Sequence, residues 1–233
     1  MKKYKKIVII PAYNEEENIE KVISKIKEVA SDFDYIVIND CSIDNTLEIC
    51  RKNKIPVINL PINLGIGGAM QTGYLYAKQN NYDIAVQIDG DGQHDPDYLK
   101  RLVEPIEMDK YDFVTGSRFI EKEGFQSSVL RRIGINYFRV LLKMLIGKSI
   151  TDATSGFRAC NKDIIEYFAK HYPSDYPEPE AIVALARKKY RIIEVAVKMK
   201  EREQGFSSIR SFKTVYYMIK VTLAILINKI KTI

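Results

Sequence analysis

The sequence predicts an α/β protein built on a mostly parallel, Rossmann-like sheet with helices on both faces. Three observations carry that expectation. Over residues 1–115, short apolar runs alternate with amphipathic stretches, the signature of successive βαβ units. The runs are apolar throughout rather than alternating, as strands covered on both faces are. Polar, glycine-rich segments follow the runs, at the carboxyl ends of strands where open α/β sheets bind ligands.

The elements follow in order. KIVIIP (6–11) is a β-branched run closed by proline and predicts a buried strand. Residues 15–30 set Ile19, Val22, Ile23, Ile26 and Val29 at helical spacing, with Asn14 as N-cap and acids in the first turn. YIVIN (35–39) predicts a second strand, and Asp44 the N-cap of the helix NTLEICRKN. IPVINL (55–60) predicts a third strand and residues 63–80 a helix opened by glycines. YDIAVQID (82–89) is a fourth strand, residues 96–108 a helix, and YDFVTG (111–116) a fifth strand. In the second half, residues 128–147 form an amphipathic helix whose polar stripe is Arg132, Asn136, Arg139 and Lys143. The last segment repeats the design with Arg210, Lys213, Tyr217, Lys220, Ala224, Asn228 and Lys231.

Composition narrows the class. The 233 residues suit one large domain, 46% of them hydrophobic and 28% charged, as in ordinary globular proteins. Three cysteines, Cys41, Cys50 and Cys160, are too few and too odd for a disulfide framework and point to a reducing compartment. Two histidines and no CxxC argue against zinc. The apolar run Ile7 to Ile10 is too short for a signal-peptide core. Val215 to Ile227 is broken by Lys220 and is shorter than the ~20 residues a spanning helix needs. The net charge of +6 is unevenly placed: residues 125–150 hold five basic and no acidic residues, and residues 187–233 hold twelve basic and three acidic. Basic stripes beside wide apolar faces suit helices lying on an anionic membrane surface. Packing on each other, on a second copy or on a membrane partner is the alternative. The same apolar faces argue against nucleic acid.

The densest chemistry is VQIDGDGQHDP (86–96). Asp89 and Asp91 leave a buried strand with glycines between and after them, so the backbone can turn sharply against a ligand. Two hard oxygen ligands and no thiol or imidazole cluster favour Mg²⁺ or Mn²⁺ shared with substrate phosphates, with Gln93 as a neutral oxygen ligand. A surface turn is the plainer alternative. At IPAYNEEEN, Pro11 fixes the chain leaving strand one, Tyr13 can stack on a nucleobase and Glu15 can bind ribose hydroxyls. Asp40 can accept a proton from a base ring N–H, and the loop at Gly65 can offer backbone N–H groups to phosphate.

In order, PAYNEEENI, VINDCSIDNT, NLGIGGAMQTG, VQIDGDGQHDP, VTGSRF, DATSGFRACNK and EREQGFSSI resemble the family-2 inverting glycosyltransferases. The branch they resemble transfers sugars to dolichyl and undecaprenyl phosphate. The resemblance runs from about residue 6 to about 208. It implies a glycosyltransferase-A fold over residues 1–208, with a nucleotide-sugar half of about 1–118, an acceptor half of about 119–208, and a basic amphipathic helix over 209–233. It implies a nucleotide-sugar donor, Mg²⁺ or Mn²⁺, and a polyprenyl-phosphate acceptor at the cytosolic face of a membrane. By resemblance, Pro11, Tyr13, Glu15 and Asp40 contact the nucleoside, and Asp89, Asp91 and Gln93 form the metal and diphosphate site. Arg118 lies near the sugar and its phosphate. Ser155, Gly156, Phe157 and Arg158 belong to the acceptor side, and Arg131 or Arg132 and Arg202 hold phosphate. The chain departs from the family at Asn39, where an acid is frequent, at Ser207-Ser208, where Ser-Lys is usual, and at Tyr176-Pro177-Glu178-Pro179-Glu180.

The acceptor decides which residues the chemistry needs. A phosphate monoester is largely ionised at pH 7, its second pKa being ~6, and needs positioning by arginines. A glycan hydroxyl in capsule or cell-wall synthesis needs a carboxylate base, for which Glu180, ahead of the predicted helix IVALARKKY, and Asp152 are the candidates. A non-catalytic nucleotide-sugar-binding or membrane-docking protein is the third reading, against which the intact Asp89, Asp91 and Arg202 speak.

Overall fold

The structure is a computed structural model that describes residues 3–121, 123, 129–174, 177–200 and 222–223. Seven strands form one sheet in the order β3-β2-β1-β4-β6-β5-β7. The first four are β1 (Lys6–Ala12), β2 (Phe33–Asn39), β3 (Val57–Asn59) and β4 (Ile84–Gln87), all parallel. β5 (Phe113–Ser117) and β7 (Ile192–Ala196) pair in parallel, and β6 (Arg158–Asn161) runs antiparallel between β4 and β5. The predicted mostly parallel sheet stands, with β6 and β7 added.

Residues alternate along β1 to feed two cores. Ile7 and Ile9 enter one, and Val8, Ile10 and Ala12 the other. The first core is covered by α3 (Gly65–Gln79), α5 (Val129–Ile146), α6 (Lys162–Phe168) and α7 (Pro177–Arg187), through residues such as Met70, Tyr74, Phe138, Ile165 and Ile182. The second is covered by α1 (Ile19–Val29) and α4 (Leu99–Glu107), through Ile19, Ile23, Leu102 and Val103, with Cys50 of α2 (Thr46–Lys52). Each large aliphatic side chain so buried contributes about 1.5–3 kcal/mol, and both faces of the central strands share in it. The three cysteines are free.

The predicted polar stripe of α5 is solvent-exposed at Arg132, Asn136, Arg139 and Lys143, while Ile135, Phe138 and Leu142 are buried. Among the described residues no helix is long and apolar enough to cross a membrane. The predicted helix 209–233 lies outside the described residues except for Thr222 and Leu223; the Thr222 hydroxyl bonds the Tyr137 hydroxyl of α5 at 2.9 Å.

Two predicted helix starts shift. α1 begins at Ile19, not Glu15: residues 16–18 form a turn ahead of the helix, after Asn14 in a left-handed conformation (φ 57°). The N–H groups of Asn18 and Ile19 both close on the Glu15 carbonyl. α7 begins at Pro177, so Glu180 sits inside its first turn rather than ahead of it.

Candidate active site

The strand order reverses between β1 and β4, and at that switch point the carboxyl ends of both strands face one crevice. Gly90 closes it by donating its N–H to the Pro11 carbonyl at 3.2 Å. A Cβ at Gly90 would lie 3.1 Å from that same oxygen.

On one side of the crevice the loops after β1, β2 and β3 brace one another. The Asp40 N–H donates to the Ala12 carbonyl at 2.9 Å. Its carboxylate, nearly buried, accepts the Leu64 N–H at 2.7 Å, which fixes the loop into α3. Asn39 donates from Nδ2 to Asn59 Oδ1 at 2.6 Å and accepts the Ser42 hydroxyl at 2.5 Å. Asn14 accepts the Ile43 N–H at 2.9 Å. The N-cap of α2 is Asn45 rather than Asp44, though Asp44 accepts the Thr46 N–H at 2.9 Å. Glu15 is buried, its N–H on the Thr46 hydroxyl and its Oε2 accepting from Asn18 at 2.8 Å. Tyr13 stands out at 46% exposure, with Ile43 and Leu64 also exposed on these loops. Gly65 needs its glycine for conformation, φ +73°, and a Cβ there would meet open space.

On the other side lies the Asp89–His94 loop. Gln87, buried at the end of β4, donates from Nε2 to Asp89 Oδ1 at 3.0 Å. The Asp89 N–H donates to His94 Nδ1 at 3.1 Å, and His94 stacks on Phe157 at 5.0 Å between ring centres. Asp91 accepts the Gln93 N–H at 3.0 Å, and Gly92 (φ +75°) makes the turn. The Gln93 carbonyl accepts the Lys200 N–H at 2.9 Å, zipping the loop to the segment after β7. Two carboxylates and a carboxamide are a hard oxygen set suited to Mg²⁺ or Mn²⁺. Among the described residues no group of three or more His, Cys, Asp or Glu is arranged to hold a metal.

The remaining predicted residues fall into two groups. Arg118, at the end of β5, clamps Asp152 with Nε to Oδ2 and Nη2 to Oδ1, each at 2.7 Å. Burial opposes the guanidinium's charge, but the hydrogen bond and the charge of Asp152 together outweigh it and raise the Arg118 pKa. Asp152 is fully buried in this clamp, its carboxylate engaged by Arg118. Glu194 of β7, which the sequence reading missed, supports it by accepting the Thr151 and Asp152 N–H groups at 2.7 and 2.8 Å. Burial raises the Glu194 pKa against those bonds. A lone acid in the apolar strand IIEVA was the available signal, since a buried charge needs partners.

Ser155 and Arg158 are buried. Arg158 pairs in register with Gln87 and donates from Nε to the Ser155 carbonyl at 2.6 Å, leaving Nη1 buried without a partner. Glu178, in the first turn of α7, has its pKa raised by burial, opposed by the charge of Arg158 and reinforced by Asp89. Glu178 is thus an α7 carboxyl coupled to the charges of Arg158 and Asp89. Arg132 is exposed on α5. The side chain of Arg131 and all of Arg202 lie outside the described residues.

The comparisons with known proteins agree with this geometry. The sequence model of Glycosyl transferase family 2 matches residues 7–168. The UDP-N-acetylglucosamine--dolichyl-phosphate N-acetylglucosaminyltransferase of Methanococcus voltae is 30% identical over 243 residues, 93% of this chain and 95% of that protein. The undecaprenyl-phosphate mannosyltransferase of Micrococcus luteus is 28% identical over 215 residues, 87% and 86% of the two chains. Glucosyl-3-phosphoglycerate synthase from Mycobacterium tuberculosis, solved with Mn²⁺, uridine-diphosphate and phosphoglyceric acid, shares the fold. Its TM-score is 0.75 at 21% identity, covering 97% of this chain and 78% of that one. With a family match over most of its length and the crevice at the expected switch point, the chain belongs to glycosyl transferase family 2 and is a glycosyltransferase of the glycosyltransferase-A fold.

Proposed function

We propose that this glycosyltransferase moves a sugar from a UDP- or GDP-linked donor to a polyprenyl phosphate, with inversion at the anomeric carbon, at the cytosolic face of a membrane. The observation that carries the reading is the Asp89-Gly90-Asp91 turn at the switch point, with both carboxylates beside the loops that would hold a nucleoside. The two relatives named for dolichyl and undecaprenyl phosphate support the acceptor. The exposed basic stripe of α5, beside exposed Val140 and Met144, supports a membrane surface.

Pro11 and Asp40 shape the nucleoside pocket, with Tyr13 to stack on the base and Glu15 to orient the ribose. Asp89, Asp91 and Gln93 would hold Mg²⁺ or Mn²⁺ against the donor diphosphate, where the ion neutralises charge on the leaving group. Arg118, locked in one geometry by Asp152, presents a fixed cation to the sugar phosphate, so no reorganisation is needed as charge develops. Arg131 or Arg132 and Arg202 would steer the acceptor phosphate. Its ionised oxygen attacks opposite the leaving diphosphate and needs no general base, in keeping with the engagement of Asp152 by Arg118. The test is turnover of UDP- and GDP-sugars by the full chain with Mn²⁺ and polyprenyl phosphates in detergent or vesicles. Lipid-dependent release of nucleoside diphosphate is expected, and its absence with every donor overturns the acceptor assignment.

A further inference from the structure

We propose that Gly156 is the positioning residue of the cation site: the absence of a side chain there sets where the Asp89 carboxylate stands. This rests on the reading of Asp89 as a cation ligand. It moves the turn 155–157 from the acceptor side of the site to the back wall of the donor side.

Three contacts place the turn against the Asp89 loop. A Cβ on Gly156 would lie 2.9 Å from Asp89 Oδ2, 3.2 Å from Asp89 Oδ1 and 3.0 Å from Gln87 Nε2. The last two, Asp89 Oδ1 and Gln87 Nε2, are hydrogen-bonded to each other at 3.0 Å, which orients the carboxylate. The next residue, Phe157, lies under His94 at 11° between ring planes, and His94 accepts the Asp89 N–H. The turn itself is anchored from below. The Ser155 hydroxyl accepts the Phe157 N–H at 3.3 Å, and the Phe157 carbonyl accepts the Gly116 N–H at 2.8 Å. It therefore does not retreat when a group is added.

The backbone does not demand glycine at 156. Among the described glycines, positive φ belongs to Gly65, Gly92 and Gly147 and not to Gly156, so alanine can adopt the conformation found here. Space alone excludes it, and the obstructing atoms are the tips of two side chains rather than backbone. An alanine is accommodated by swinging Asp89 and Gln87 aside, so the fold survives and the cation site does not.

The experiment compares the full-length wild type with Gly156→Ala by Mn²⁺ titration with and without UDP, and by thermal unfolding without metal. Gly156→Ala should bind Mn²⁺ about 10–100-fold more weakly, the range for residues that orient a metal ligand. Its metal-free Tm should fall by no more than ~4 °C, which corresponds to about 1 kcal/mol at this size. In the Asp89→Ala background the Tm cost of Gly156→Ala should largely vanish, because the obstructing carboxylate is gone. A wild type that binds no Mn²⁺ with UDP overturns the cation reading and this inference with it. A variant that binds as tightly as a metal-binding wild type overturns this inference alone. A Gly156→Ala chain that fails to fold in both backgrounds shows that the backbone, not Asp89, requires the glycine, and overturns it as well.

Discussion

The two sides of the sheet brace their crevice loops by different means. On the β3–β2–β1 side, neutral and acidic side chains tie loops to one another's backbone: Asn39 to Asn59 and Ser42, Asn14 to Ile43, Asp40 to Leu64. On the β5–β7 side the brace is ionic: Arg118 clamps Asp152 with Glu194 beneath it. The first arrangement keeps carboxylate charge at the crevice for a ligand to use. The second holds its ions as a fixed pair, because a buried unpaired ion costs several kcal/mol. Changes to the crevice carboxylates should register in binding and turnover, and changes to the buried ion pair in stability.

The largest expected effect tests the first half of that contrast. Asp91→Ala should lower turnover by ~10³-fold or more, since a metal's charge stabilisation is worth several kcal/mol and each 1.36 kcal/mol is tenfold. Its Tm should match the wild type, and turnover near the wild-type rate would remove Asp91 from the site. Asp152→Ala tests the second half. It leaves Arg118 buried without its carboxylate and should cost about 3–5 kcal/mol in denaturant unfolding. A loss under ~1 kcal/mol would mean the clamp behaves like a surface pair.

Gly67→Ala sharpens the comparison at a single residue type. A Cβ there would lie 2.1 Å from the Ser174 carbonyl oxygen, which is backbone and moves only with the chain into α7. Overpacking of about 1–3 kcal/mol is expected, read as a lower denaturant midpoint with Mn²⁺ affinity retained. The opposite split is expected at Gly156.

The smallest effect concerns pH. Hydrogen bonds from Arg191 hold the Asp112 carboxyl below its usual range, against the upward pull of burial. A depressed folded-state pKa stabilises the fold above the unfolded value of ~3.9. That stabilisation fades as pH falls through the folded value. Asp112→Asn should therefore flatten the fall of Tm below about pH 4. An unchanged acid limb would place the acid sensitivity elsewhere.

Much of this was legible in the chain. The five parallel strands of the first half announce themselves because each is a short apolar run followed by polar glycine-rich residues, and that pattern follows from burial on both faces. Asp40, Asp89 and Asp91 were legible for the same reason, since they stand where such runs stop. β6 was not. Four residues, RACN, opening on an arginine, carry too little periodicity to declare a strand. They become one because β4 and β5 offer hydrogen bonds on both sides. The roles of Asp152 and Glu178 were hidden too, because a base, a salt-bridge partner and a buried acid read identically as one letter.

The sequence by itself determined the class of fold, the edge of the sheet where chemistry gathers, and the acids that stand there, since all three follow from local periodicity and strand ends. Only the tertiary structure decided which of those charges remain available, that Arg158 is interior and that Arg118 is clamped by Asp152. It also decided that Gly67 and Gly156 are glycines for different reasons. The cause is physical: a residue's charge state and room depend on what packs against it from elements distant in the chain.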